Sequence, residues 1–298
     1  MRTAEFYAFM RERESIRQKK LAGLPKPWTK DPILQNYKFT NVKREHDATS
    51  AALITEFYRP HYDDDKELIL LNAAIARYFG TVEFMRAVGW QKGFYPQRLI
   101  DCARNRLEAK QRVFTGAYII TNNGIAGPKE QVVTNVFLTD LWNQSKAIIA
   151  AQKKSDNRWQ AVVEALQVCR GFGGSGFMAK ETILDTRYTG FWPPNTPVDK
   201  NTWTPVGPGS LRGAARVLGK TNPDPDKAPK VSIAEALQVC KDLFAERKQA
   251  DITGLYWPPQ YPELELTDIQ FQLCEFDKME RTRLGQGTPR SRYPGGAL

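Results

Sequence analysis

Apolar residues recur at three- and four-residue intervals along most of the chain, the spacing that lines one face of a helix. The stretch AEFYAFMRERESIRQKKLAG (4–23) opens after Thr3, a capping residue type, and stops at Gly23 with Pro25 beyond it. Residues 27–32 read as a loop. NVKREHDATSAALITEFY (41–58) reads as a helix that ends before Pro60, and DDDKELILLNAAIARYFG (63–80) as one that opens on acids and closes at Gly80. Further helices are predicted over 81–88, 96–111, 129–152, 158–170, 176–187, 210–218, 232–251 and 267–284. One run, FTGAYIIT (114–121), bounded by NNG, reads as a hairpin arm. Segments 190–209, 220–230 and 254–263 are loops rich in proline and glycine. The expectation is a mainly α protein with a joint near 124–128: a basic N-terminal helical region (1–125), a second helical region (126–285) and a disordered tail (286–298).

The stretch CRGFGGSGFMAKETILDTRYTG (169–190) crowds Gly171, Gly173, Gly174 and Gly176 between two predicted helices. Helix, glycine-rich turn, helix is the layout of a helix-hairpin-helix element, whose backbone N–H groups approach a DNA phosphate. Phe172 would anchor such a hairpin in the core. A packing turn with no ligand explains the same glycines. Lys180 and Asp185 follow in the next helix, and Asp199 lies one loop further on. VGPGSLRG (206–213) is another tight turn opening a helix, with Arg212 and Arg216 on its first turns. It suits anion capture at the helix start, or simply a turn capped by Ser210.

The chain has 298 residues, enough for one large or two modest domains. It contains no apolar run of about 18 residues and no signal-peptide pattern at its N-terminus, which sets the expectation of a cytoplasmic protein without membrane contact. Cys102, Cys169, Cys240 and Cys274 lie far apart, with only His46 and His61 besides, so neither a zinc site nor a disulfide framework is expected. No cofactor is indicated, and a divalent metal bound with an anionic substrate stays open. The net charge is +10, and residues 1–44 alone hold eleven Lys/Arg against four acids. Such clustering suits a polyanion, nucleic acid being the commonest, or a solvated basic surface. Asn41, Arg44 and Asp47 fall within reach on one predicted helix face, as do Asp268, Glu275 and Lys278, with Asp277 about a hundred degrees away. Trp28, Trp192 and Trp203, in loops, suit base stacking or core plugging.

PWTKDPILQNYKFTNVKREHD, FTGAYIITNNG, GFGGSGFMAKETILD, GPGSLRG and LCEFDK together resemble the phage α-glutamyl/putrescinyl-thymine pyrophosphorylases, or amino acid:DNA transferases, which are related to the helical domain of 5-hydroxymethyluracil DNA kinases. The resemblance covers about residues 4–285. It implies a helical, DNA-glycosylase-like fold acting on double-stranded phage DNA with modified thymine, in the cytoplasm of an infected bacterium. A separate kinase would make the pyrophosphate ester of 5-hydroxymethyluracil, and this chain would replace pyrophosphate with an amino acid or polyamine. No P-loop G-x-x-x-x-G-K-[ST] occurs, so the kinase step is not expected of these residues. For that chemistry the candidate bases are Asp185 and Asp199, with Glu275 and Asp277 as rivals. Arg44 and Arg212 would hold pyrophosphate, Asn41 and Asp47 would orient base or nucleophile, and Lys180 and Lys278 would add substrate contacts. DNA contact falls to the hairpin glycines, Arg13 and Arg17. Two other readings stay open on the same residues: a glycosylase-like hydrolase that releases free base, and a non-catalytic DNA-binding helical module serving a kinase.

Overall fold

A computed structural model describes residues 1–224, 226–247 and 264–293. Its α-helices are α1 (Thr3–Leu21), α2 (Pro32–Asn36), α3 (Ala48–Leu53), α4 (Lys66–Phe79), α5 (Val82–Val88), α6 (Pro96–Glu108), α7 (Lys129–Val132), α8 (Thr139–Lys154), α9 (Trp159–Gln167), α10 (Phe177–Thr186), α11 (Pro208–Val217), α12 (Ile233–Glu246) and α13 (Leu266–Arg283). Among the described residues there is no strand, only an isolated bridge between Tyr37 and Arg292. The protein is mainly α, as its periodicity predicts.

Several boundaries follow local chemistry that the periodicity does not carry. The predicted helix over 41–58 begins only at Ala48, because the Asn41 N–H donates to Asp47 Oδ1 at 2.9 Å and the Asn41 amide donates to the His46 carbonyl at 2.9 Å. These bonds close 41–47 into a loop. The chain then stays helical past the expected stop, through a π-helical segment (Ile54–Tyr58) and a 3₁₀ turn (Arg59–His61) that includes Pro60. A second π segment, Val133–Leu138, joins α7 to α8 inside the helix predicted over 129–152. Helix α2 was not expected. Its signal is Asp31 followed by Pro32: the carboxylate accepts the N–H groups of Ile33 and Leu34 at 2.8 and 2.9 Å, with proline at the first turn.

The run FTGAYIIT forms no hairpin arm. It straps the end of α4 instead, with Phe114 stacked on Phe79 and the Thr115 N–H donating to the Phe79 carbonyl at 2.8 Å. The expected tail is also partly built in: the Lys38 N–H donates to the Ser291 carbonyl and the Tyr293 N–H to the Asn36 carbonyl, each at 2.9 Å. Residues 294–298, the end of the predicted helix 232–251 and the loop 254–263 lie outside the described residues.

The chain divides into two compact units, Met1–Asp47 with Asn201–Leu298, and Ala48–Lys200. A joint near 125 does not fit this division: α6 and α7, on either side of it, belong to one unit, where Arg104 meets Glu130 at 3.9 Å.

The first unit is organised by α13. Residues 209 and 213 of α11 are glycines one turn apart, and they allow the two helices to approach backbone to backbone. A Cβ on Gly213 would lie 2.0 Å from the Leu273 carbonyl oxygen, and one on Gly209 would lie 2.9 Å from Cys274 Sγ. The GPGSLRG stretch is thus a packing seam. Around it Phe6, Met10, Leu34, Ala214, Leu243, Ile269 and Phe276 form the apolar core. The second unit is organised by α4, every residue of which from Ile69 to Phe79 is buried, against α8 and α10.

Substituting Gly213→Ala must push α11 and α13 apart, because the obstacle is main chain. We expect a loss of about 3 kcal/mol or more, the upper end of overpacking effects, read as a lower urea midpoint. Gly116→Ala, which meets nothing within 4 Å, should fall within about 0.5 kcal/mol of the parent.

Candidate functional site

With little solvent-facing surface on α13, its polar residues must find partners inside the unit. Asp268 accepts from Lys43 Nζ at 3.1 Å and from the Glu265 N–H at 2.9 Å. Glu275 takes Lys278 at 2.6 Å and the Thr40 N–H at 3.1 Å. Asp277 is shared by Arg212 at 2.7 Å and Arg216 at 3.0 Å, with Arg281 at 3.3 Å. Glu280 binds Arg2 at 2.6 Å and Arg283 at 2.8 Å. Arg212 and Lys278, expected to face substrate, therefore hold carboxylates of their own unit. Glu275 and Asp277 are buried acceptors in ion pairs. Arg44 lays its guanidinium over the Phe271 ring, 4.5 Å from the centroid.

One part of this lattice is left open. Arg13, Arg17 and Lys20, at i, i+4 and i+7 of α1, line a cleft whose other wall carries Tyr37, Phe39, Asn41 and Tyr293. Counting its open mouth, the cleft encloses about 320 Å³. Arg13 lies at its floor, 6% exposed, with its guanidinium against Phe9 and Phe39 and Nη1 donating to Gln272 Oε1. Its Nη2 is buried and finds no hydrogen-bond partner among the described residues. Arg17 is held by Glu14 on the same helix. Lys20 Nζ sits 5.6 Å from the Trp28 ring and 5.3 Å from the Tyr293 ring, with Lys26 and Lys38 within 5.6 Å of the same Tyr293 ring.

Beside Arg13 stands Asp47. Burial pushes its carboxyl up to about 6, against the pull of Arg44, the Asn41 N–H and Arg13, while Glu275 adds to the rise. A half-buried carboxylate that titrates near neutrality, next to cations, suits proton abstraction. The loop that holds it is the one closed by Asn41, so the predicted trio Asn41, Arg44 and Asp47 does come together, but on a turn and not a helix face.

In the second unit the candidates meet different partners. Asp185 is buried and clamped by Arg77 of α4, at 2.7 Å from Nε and through Nη2 as well, and it accepts the Tyr58 hydroxyl at 2.6 Å. Burial raises its pKa, opposed by Arg77 and Tyr58. Lys180 is buried too, 3.1 Å from Glu181, which in turn lies 3.7 Å from Arg77. Asp199 accepts the N–H groups of Trp159 and Gln160 at 2.7 and 3.0 Å, a cap on α9 supplied from a distant loop. These contacts account for the burial of all three residues without a substrate.

The glycine-rich turn does join two helices, α9 and α10, and Phe172 is fully buried against Tyr78. Gly171, at φ +89°, faces inward: a Cβ there would lie 2.4 Å from the Tyr78 hydroxyl and from Phe137. Gly176 begins α10 and Gly173 and Gly174 complete the turn, with only open space beside Gly174. Trp192 plugs the core, donating to Thr186 Oγ1 at 2.9 Å. Sequence reasoning missed Arg77, Gln272, Lys20 and Tyr293. The α1 spacing 13, 17, 20 was a legible signal; Tyr293 reaches its place through a pairing 255 residues away in sequence, which no local pattern marks. Among the described residues no group of acids, histidines or cysteines could hold a metal ion, and no helix is long and apolar enough to cross a membrane.

The family described as "5-hmdU DNA kinase, helical domain" matches residues 2–288. A 5-hmdU DNA kinase of Bacillus phage SP10 is 29% identical over 231 residues, covering 70% of this chain and 34% of the kinase. The chain thus spans about a third of the length of that relative. No solved structure matches.

If Arg77 is what makes the buried acids tolerable, Arg77→Met should cost about 3–5 kcal/mol by stranding Asp185 and Glu181. The double variant Arg77→Met/Asp185→Leu should cost less than Arg77→Met alone. A denaturation cycle with no coupling between the two positions would show that the clamp does not hold the unit.

Proposed function

The chain belongs to the helical-domain family of the 5-hmdU DNA kinases, and on that premise we propose that it acts in thymine hypermodification of phage DNA, displacing pyrophosphate from 5-pyrophosphoryloxymethyl-uracil with an amine. The observation that carries the reading is Asp47: a carboxyl raised to about 6 beside the buried Arg13. The nucleotide leaves the stack, at a cost of a few kcal/mol, to expose its 5-methylene carbon. The bond from that carbon to the pyrophosphate oxygen breaks, and the electron pair departs with pyrophosphate into a cationic surrounding. The amine nitrogen forms the new bond to the methylene carbon. Asp47 takes the ammonium proton that would otherwise block attack, and Asn41 fixes the loop that presents it.

The functional partner in this reading is the kinase that makes the pyrophosphate ester, and the co-substrate is an amino acid or polyamine. The second unit supplies a rigid helical body, its acids held in place by Arg77 and by the start of α9.

Incubating pyrophosphorylated DNA with the protein and a panel of amines, followed by nucleoside mass spectrometry, should yield an amino-thymidine. Free base would indicate glycosidic hydrolysis instead, and unchanged DNA a binding role alone.

Asp47→Asn should cut product formation about 100-fold or more. With the parent, rate should climb as pH rises through about 6, where Asp47 ionises. In the variant that rise should vanish and the remaining rate should follow deprotonation of the amine alone. An unaltered pH–rate profile would remove Asp47 from the reaction.

A further inference from the structure

We propose that the cleft formed by Arg13, Arg17 and Lys20 is a binding site for a phosphoanion, with Arg13 at its floor and Tyr293 of the C-terminal segment forming one wall. It deepens the transferase reading by naming the group this cleft holds, yet it stands on observations independent of the reaction.

The first is Arg13. A guanidinium NH2 group that is buried and unsatisfied carries a desolvation cost that a protein structure normally avoids. Here Nη2 has no partner among the described residues although Nη1 is bonded to Gln272. The unpaired atom belongs to a residue that lines an open cleft. An oxygen of an anion entering the cleft would satisfy it through a charge-assisted bond.

The second is the charge at the mouth. Lys20 is partly buried, and its pKa is lowered by that burial and by Lys38 and Lys26. Cations gathered this closely repel each other, and a multivalent anion relieves the repulsion. The acids whose charge reaches Arg13 already have partners: Glu14 holds Arg17, Glu275 holds Lys278, and Asp47 accepts the Asn41 N–H. The third is shape. Tyr37 and Tyr293 make aromatic walls, which suit an anion attached to a flat organic group better than a free spherical ion. Tyr293 is held there by its main-chain bond to Asn36 and by the Lys38 bond to Ser291.

A phosphate ester of DNA and free pyrophosphate share this chemistry, and titration separates them. Binding of inorganic phosphate, pyrophosphate and a short unmodified DNA duplex to the full chain should be measured by calorimetry at constant ionic strength. Pyrophosphate should bind saturably and more tightly than phosphate. Lys20→Gln, at a position whose head group reaches the mouth, should weaken pyrophosphate about tenfold, the loss of one charge-assisted contact. Lys146→Gln, an exposed site on α8, should leave it unchanged. Arg17→Gln should act like Lys20→Gln; Arg13→Gln tests the floor if the protein still folds by circular dichroism. Competition by the duplex that is itself lost in Lys20→Gln assigns the site to a backbone phosphate; no competition assigns it to free pyrophosphate.

No saturable binding of any of the three, or binding indifferent to both Lys20→Gln and Arg17→Gln, would overturn the proposal. Anion binding without any amino-thymidine would leave the site standing and sink the transferase reading. Product formation with no anion binding at the cleft would do the reverse.

Discussion

Two helices touching main chain to main chain set the terms for the first unit. The Leu273 carbonyl lies where a Gly213 side chain would begin, and that contact leaves α13 enclosed by α1, α2, α11 and α12. An enclosed helix rich in Asp, Glu and Gln is tolerable only if each polar group is met. Lys43, Arg212, Arg216 and Arg2 meet them. Two of the eleven cations in residues 1–44, Arg2 and Lys43, therefore neutralise acids of α13. On the same unit Lys20, Lys26 and Lys38 gather around the Tyr293 ring.

The second unit solves the same problem with the opposite sign at its centre. Its enclosed helix, α4, carries a cation, Arg77, and the acids come from α10. In both units the most deeply buried carboxylates are structural members of ion pairs. Chemistry at neutral pH needs a group whose proton is loosely held and reachable. Asp47, half-buried on a loop, meets that description better than the fully enclosed Asp185 or the helix-capping Asp199.

Helix positions were largely legible because they depend on local periodicity: α4 and its stop at Gly80, α5 behind Thr81, and α13 fall where the pattern puts them. Failures came where a side chain or a distant segment overrode the pattern. Asn41 and Asp47 turned a predicted helix into a loop. Phe114 and Tyr118 used an alternating run to cover a helix end, leaving no strand partner. The glycines of GFGGSG and GPGSLRG suited either a phosphate cradle or a packing turn; Gly171 and Gly213 make room for Tyr78 and Leu273, while Gly174 meets open space. A glycine's need for space is visible in sequence; what takes the space is not. Of the residues around the cleft, Asn41 and Asp47 were read from the sequence as substrate contacts and Arg13 and Arg17 as DNA contacts, with nothing local to place the two pairs together, and Tyr293 depends on a pairing with a segment 255 residues away.

That pairing has a consequence for how the protein emerges from the ribosome. Residues 48–200 form one unbroken stretch with a core of its own, and can close as soon as they clear the exit tunnel. The other unit cannot: α1 must wait for α11–α13, and the bonds from Asn36 and Lys38 wait for Ser291 and Tyr293. At about 5–20 residues per second, the nascent segment carrying α1 and α2 stays unpartnered for on the order of ten seconds or more while the intervening segments are made. Its high positive charge then has a second use, since like-charged chains with exposed Phe6, Phe9 and Met10 associate less readily.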